Sequence, residues 1–440
     1  MTHEEVGLYR LLNSLNYLVD PRIGIIRYLK ENPSDTGSPK LFHYDAGASD
    51  TRAFTGQSNF KRSGGVSSAR STAIAKAIGE GVERYCSAIY SREEFPLFSY
   101  SNAPVRCCDP ETFALFSQNQ YASENFNYIP FACDTVVRWT PAFDLTDNLP
   151  RYVPACAVYI PYEFKAGEEA EILQPISTGL ACHSSPTLAA ISGICEVIER
   201  DAFTLTWQCK LRKPRIEHDS LSPSNKAIVR LFENAGYRIS LLDITTDISV
   251  PVVLAVSQSS RHDNPPLVAA ASASLSPEIA VRKSLEELEH TREYVQHIKS
   301  EVPRLARIEN FENVHYQADH LNFWCDESNL KYADFLFEGP SVSFAELKDL
   351  SSDSDVANLK TLRNLISARG LRILLCDLTT SDVKEIGLSV VRSVIPGMHP
   401  LVVGHKYRAL GGHRIRAIES SLEPWQRVEI VREAAPHPYP

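Results

Sequence analysis

No Cys-x-x-Cys pair occurs among the ten cysteines of this 440-residue chain; they are scattered, and only Cys107 and Cys108 adjoin. That spacing fits neither a zinc ribbon nor a disulfide framework, and isolated thiols suit a reducing cytoplasm. The chain also lacks any apolar run near the roughly 18 residues that a membrane span requires. Its opening, MTHEEVGLYR, carries acid where a secretory signal would place Lys or Arg. A cytoplasmic protein is therefore expected. Basic charge is in deficit, with 45 Lys and Arg against 54 Asp and Glu, a formal net charge of -9. A phosphate-backbone binder needs a basic face, which argues against nucleic acid as a partner. Two nucleotide signatures are missing as well: there is no GxxxxGK[ST] loop and no GxGxxG after a strand. Any nucleotide site here must use another architecture.

What is present is ordinary for a globular protein, with 43% hydrophobic and 22% charged residues. The length allows one large or two to three ordinary cores. Helical periodicity runs from Ser71 to Tyr90, Pro186 to Trp207 and Pro277 to Ile298. The second half carries an internal echo. From Ser224 the order is amphipathic helix, stop at Gly236, strand, then Asp243-Ile-Thr-Thr; later it is helix, Gly370, strand, then Asp377-Leu-Thr-Thr. A β-rich run follows each, from Val250 and from Leu388. Repeated helix–strand–strand units predict an α+β fold with layered sheets and helices. The polar stretch ENPSDTGSPK reads as a linker. The expected organisation is an N-terminal extension over residues 1–45 and a main domain over 46–440.

Two stretches share a design: SGGVSSARSTAIAKAIGEGVERY from Ser63, and ISTGLACHSSPTLAAISGICEVIERD from Ile176. Each opens with a Gly/Ser-rich loop, enters a helix and reaches Glu-x-x-Glu-Arg. The pairs are Glu80 with Glu83 and Glu196 with Glu199, followed by Arg84 and Arg200. Residues three apart share a helix face, so each pair offers two carboxylates in one direction. One such pair alone is ordinarily a solvated face with local ion pairs. Glu80 and Glu83 lie opposite the stripe of Ile74, Ile78, Val82 and Ile89, which solvent or a polar cavity would equally allow. Two copies, each behind a small-residue loop, suit Mg2+ held beside the phosphates of a nucleotide. Ser67 and Ser68 either cap the following helix or face that nucleotide. Cys86, Cys182 and Cys195 read as small core residues.

The chain ends PHPYP, with Pro436, Pro438 and Pro440 at alternate positions. Proline there fixes φ and favours an extended, polyproline-like form, either a stub or a tail that can be threaded into a cavity at small entropic cost.

These residues together resemble the YcaO family: AIAKAIGEGVERY, the STGLACHSS-to-IERDA stretch, the Pro396-Gly397 turn, and an end of the PxPxP kind associated with its azoline-forming cyclodehydratases. The resemblance spans about Asp45 to Pro440. It implies a YcaO-type ATP-binding fold in which Glu80, Glu83, Glu196 and Glu199 hold Mg2+ bridging the triphosphate. It implies Arg200 on the phosphate side, with Arg84 as a further nucleotide contact. Ser177, Thr178 and Gly179 stand where the family commonly has Ser-Asn-Gly, so a hydroxyl replaces an amide at Thr178; His183 replaces a small residue. In SPEIAVRKSLEELEH, Arg282 and Glu287 match nucleotide-side positions, with His290 where Gln is frequent; a plain surface pairing of Arg282 and Glu287 stays equally open. Pro436, Pro438 and Pro440 match the catalytic tail, and loss of Tyr439 and Pro440 is expected to stop cyclisation while ATP binding persists.

The implied activity is ATP- and Mg2+-dependent cyclodehydration of Cys, Ser or Thr in a ribosomally made precursor peptide, by phosphorylation of an amide oxygen. Within the family, thioamide or macroamidine formation are the alternatives, which the PxPxP end disfavours. A non-catalytic scaffold subunit of a synthetase is the alternative of another class. No leader-recognition module is visible, so the resemblance implies a leader-binding partner protein, and admits a flavin-dependent azoline dehydrogenase and a homodimer within a larger complex.

Overall fold

The computed structural model describes residues 3–35, 37–113, 115–306, 308–421 and 434–440. The chain divides into two compact units. One comprises Met1–Pro33, Phe42–Val197 and Ser352–Met398; the other Ser34–Leu41, Ile198–Ser351 and His399–Pro440.

The first unit holds two antiparallel sheets. A three-stranded one runs Ile26–Asn32, Phe42–Ala48, Arg62–Ser67. The expected boundary at residue 45 falls inside its central strand, which is hydrogen-bonded to a strand on either side. SGGVS, read as a loop, is the third strand. The helix Arg70–Ala88 packs on this sheet with Ala73, Ala77, Ile78, Gly81, Val82 and Cys86 buried. Small residues set that approach: a Cβ on Gly65 would lie 2.2 Å from the Ala73 carbonyl oxygen. The six-stranded sheet runs Leu97–Ser99, Val136–Asp144, Leu374–Asp377, Ser389–Val394, Leu180–His183, with Leu149–Pro154 beside Val136–Asp144. Trp139, Ile172, Val153, Leu374 and Val390 fill its core.

The second unit is built on a five-stranded sheet in the order Leu267–Ala273, Val252–Gln258, Arg238–Asp243, Arg215–Ile216, Ser341–Val342. Residues 252–256 read as a continuous apolar run because they are buried on both faces. The helices Pro223–Asn234 and Pro277–Glu301 belong to this unit, and the latter packs against the two strands at the sheet's edge. The helix Pro186–Gln208 runs through the division, with Val197 closing one unit and Ile198 opening the other.

The internal echo is structural. Helix Pro223–Asn234, Gly236 at φ +85° and strand Arg238–Asp243 match helix Asp355–Ser367, Gly370 at φ +73° and strand Leu374–Asp377. In each, the Asp carboxylate accepts the N–H of the second residue onward, Thr245 or Thr379, at 3.0 Å. Each Thr hydroxyl then accepts the N–H of the next strand's Val252 or Val390, at 3.2 and 3.0 Å. The repeated Asp-x-Thr thus ties each strand to its antiparallel neighbour.

Candidate functional site

In the first unit, the glutamates of both helices are directed by backbone N–H groups. Glu80 accepts from Gly64 at 2.8 Å, and Glu196 accepts from Gly179 at 3.2 Å. These are the glycines of the two small-residue stretches. Their N–H groups orient carboxylates instead of standing open to phosphate, as the sequence suggested. Gly179 has no alternative residue: its φ is +88°, and a Cβ would meet the Ser393 carbonyl oxygen at 2.2 Å. Glu83 accepts from Cys182 at 2.7 Å. The face opposite the apolar stripe is therefore not solvent but a polar seam, and both carboxylates are half-buried. Burial pushes the Glu83 carboxyl well above its ordinary value; the Cys182 N–H opposes this, and the charges on Glu80 and Glu196 add to it.

That mutual repulsion is the fit for a hard divalent cation, which would satisfy the negative charge the seam concentrates. Among the described residues no three His, Cys, Asp or Glu side chains already form one metal-holding group. Mg2+ beside a nucleotide takes one or two carboxylates together with phosphate oxygens.

Arg84 pairs with Glu80 at 2.5 Å and lies over the Phe60 ring. Ser177 is exposed, Thr178 half-buried and Gly179 buried. The segment leading into them is fastened by a residue that sequence reading missed. Arg392 donates to the carbonyl oxygens of Ile176 at 2.7 Å and Ala157 at 3.2 Å, and its buried Nη1 has no hydrogen-bond partner among the described residues. Burial pulls this guanidinium down to about 10, with the Glu196 charge opposing. Its only signal was an arginine within an apolar strand. His183 Nδ1 accepts the N–H of the adjacent Ser184 at 2.9 Å. The Ser67 hydroxyl accepts the Ala69 N–H at 3.2 Å, but Ala69, the N-cap of the helix Arg70–Ala88, has no side-chain cap bond, so the expected capping by Ser67 is not formed. All ten cysteines are free thiols, and Cys86 and Cys195 are buried while Cys182 is half-buried.

In the second unit, Glu199 is buried, accepting the Ala273 N–H at 3.1 Å and the Tyr439 hydroxyl at 2.6 Å. Burial holds that hydroxyl above its ordinary value, so it stays a donor. Arg200 sits with Nε 3.6 Å from Glu199 and its guanidinium carbon 4.5 Å from the Tyr439 ring centre. Arg282 and Glu287 are both half-exposed on the helix Pro277–Glu301, and Glu287 faces His290 at 3.7 Å. Glu286, which the sequence reading passed over, is 2% exposed. It lies four residues after Arg282 and so on the same helix face, where Glu287 does not.

Residues 434–440 are packed rather than frayed. Pro436 and Pro438 are buried and Pro440 half-buried. Trp207 Nε1 donates to the Ala435 carbonyl oxygen at 2.8 Å, Trp324 Nε1 to that of Pro436 at 2.9 Å, and Arg408 to that of Ala434 at 3.3 Å. His437 stacks on His320 with centroids 4.0 Å apart. No described helix is long and apolar enough to cross a membrane.

The chain and its fold resemble known proteins. An uncharacterized protein of Methanothermobacter thermautotrophicus is 28% identical over 363 residues, covering 78% of this chain and 85% of that one. A heterocyclase solved in complex with substrate and cofactor superposes with a TM-score of 0.81 at 23% identity; it covers 99% of this chain, which spans 58% of that longer protein. The YcaO protein of Methanopyrus kandleri, bound with AMPPCP and Mg2+, gives a TM-score of 0.65 at 20% identity, covering 91% of this chain and 92% of its own. The family profile described as YcaO cyclodehydratase, ATP- and Mg2+-binding, matches residues 64–399. The chain, with its α+β layers and paired glutamate helices, belongs to the YcaO cyclodehydratase family, whose cofactors are ATP and Mg2+.

Proposed function

We propose that this protein carries out ATP-dependent cyclodehydration of Cys, Ser or Thr residues in a ribosomally synthesised precursor peptide, giving thiazolines or oxazolines. A substrate thiol or hydroxyl attacks the preceding backbone carbonyl carbon; the former amide oxygen takes the γ-phosphoryl group and departs as phosphate, with loss of the amide proton, leaving C=N in the ring. ATP supplies that phosphoryl group, turning a poor leaving group into a good one. Glu80, Glu83, Glu196 and Glu199 are the proposed Mg2+ ligands, and Arg200 a phosphate-side charge. Arg282 with Glu286 is favoured over Arg282 with Glu287 on the nucleotide side, because only the former pair shares a face. Arg84 has the weaker case, since its partner is Glu80. Ser177, Thr178 and Gly179 are proposed to line the nucleotide, with Gly179 setting the turn.

The observation that carries the reading is the seated segment 434–440, in which Pro436 and Pro438 are buried and Tyr439 reaches Glu199, one of the proposed ligands. The partners that follow are a leader-binding protein presenting the precursor and, where azolines become azoles, a flavin-dependent dehydrogenase.

The test incubates the purified protein with ATP, Mg2+, a Cys/Ser-containing precursor and its leader-binding partner, and reads the 18-Da mass loss per ring by mass spectrometry, a value fixed by loss of one water. Rings formed with stoichiometric phosphate support the reading. A sulfur-for-oxygen mass change, or amine-closed rings, would move the activity to the thioamide or macroamidine class.

A further inference from the structure

Tyr439 touches both members of the Glu199–Arg200 pair. Its hydroxyl donates to one Glu199 oxygen at 2.6 Å, and the Ala273 N–H takes the other at 3.1 Å. Its ring lies beneath the Arg200 guanidinium and against Phe203, 4.4 Å between ring centres, one turn further along the same helix. The side chain is 2% exposed. Both Glu199 oxygens are thus aimed by fixed donors, one of which belongs to the Pro-rich segment. Pro438 and Pro440 restrict the backbone on either side, so little freedom is lost when the ring is seated.

A carboxylate that ligates a metal is oriented by hydrogen bonds behind it, and removing such a partner typically costs about 10–100-fold in metal affinity. We infer that Tyr439 is a positioning residue for Mg2+–nucleotide binding, coupling the seat of residues 434–440 to the metal affinity of Glu199. The inference rests on Glu199 being a Mg2+ ligand. Because coupling is reciprocal, Mg2+ and nucleotide must tighten the segment's seat by the factor by which the seat tightens them. Removal of Tyr439 and Pro440 then does not spare ATP binding, contrary to the expectation from sequence, since it takes away a donor to Glu199.

The experiment measures AMPPCP binding by calorimetry across a Mg2+ series for the wild type, Tyr439→Phe and Glu199→Gln. Tyr439→Phe keeps the ring against Phe203 and Arg200 and removes the hydroxyl alone. Its expected result is a Mg2+ requirement raised about tenfold, a melting temperature close to wild type, and metal-free nucleotide affinity unchanged. Hydrogen exchange in the peptide carrying residues 434–440 should slow on adding Mg2+ and AMPPCP to the wild type, and slow less in Tyr439→Phe. An unchanged Mg2+ requirement in Tyr439→Phe beside an impaired Glu199→Gln overturns the inference and leaves Glu199 as a ligand. An equal loss of metal-free affinity, or a loss in Tyr439→Phe with none in Glu199→Gln, overturns it too. Unchanged binding in both variants overturns the metal assignment itself.

Discussion

The backbone N–H of Cys182 donates to the Glu83 carboxylate across 2.7 Å, although 99 residues separate them in the chain. This bond holds the second glutamate of the first helix against the strand that leads toward the second helix. The two motifs that look alike in sequence are therefore hydrogen-bonded into one unit at Glu80, Glu83 and Glu196.

Burial and two neighbouring carboxylates push Glu83 up, so its ionised form opposes folding at neutral pH. Glu83→Gln removes that charge, and its amide oxygen can still accept the Cys182 N–H. The expected apo melting temperature is equal to or above wild type, while Mg2+-dependent nucleotide binding weakens by about tenfold or more. Scanning fluorimetry with and without AMPPCP and Mg2+ reads both; a lower apo melting temperature would show the charge to be compensated within the protein.

Gly179→Ala puts a Cβ at φ +88° within 2.2 Å of a backbone oxygen. That oxygen is the Ser393 backbone carbonyl, and the other close atom is a methyl of the stiff Val197 side chain, so the strand Ser389–Val394 must move. A loss of more than about 2 kcal/mol is expected in urea unfolding. Gly193→Ala meets the Gly179 carbonyl oxygen at 2.5 Å, and because the two contacts share one backbone segment their costs should combine non-additively.

Arg392→Lys retains charge but loses the planar fork that spans the Ile176 and Ala157 carbonyls. Leaving those buried acceptors short costs about 2–4 kcal/mol. Faster exchange at residues 176–180 than elsewhere in the first unit would mark the loss as local to the Ser177–Gly179 segment; uniform loosening would contradict it.

Burial drives His437 down to about 4 from its ordinary 6.5, and holds its stacking partner His320 well below that value. His405 is driven down to about 2, and Arg408 adds positive charge beside it. The unfolded chain therefore takes up protons first on acidification. Stability from this cluster is fully present above about 6.5 and is lost as pH falls toward about 4. Melting temperature should fall across that window, with exchange at residues 434–440 rising first. His437→Gln should flatten the dependence, and an unchanged slope would exclude the cluster as its source.

Helices with strong apolar periodicity, the glycine stops and the Asp-x-Thr echo were all legible in the sequence, because each depends on residues within a turn or two of one another. The observed helices Arg70–Ala88, Pro186–Gln208 and Pro277–Glu301 lie within a few residues of the expected spans. That Glu80 shares a helix with Glu83, and Glu196 with Glu199, was legible by spacing as well. Sequence could not show that SGGVS pairs as a strand across residue 45, since its partner lies in a segment that looked like a separate extension.

Non-local partners were decided only by the tertiary structure. Spacing alone puts Glu286 on the Arg282 face of the helix, but only the structure shows Glu286 buried and Glu287 half-exposed. Nothing local announces that Arg392 reaches the Ile176 carbonyl, or that Tyr439 reaches Glu199 from 240 residues away. Spacing along the chain determines which side chains share a face. Packing determines what that face meets, and here it meets backbone donors and, at Glu199, the Tyr439 phenol.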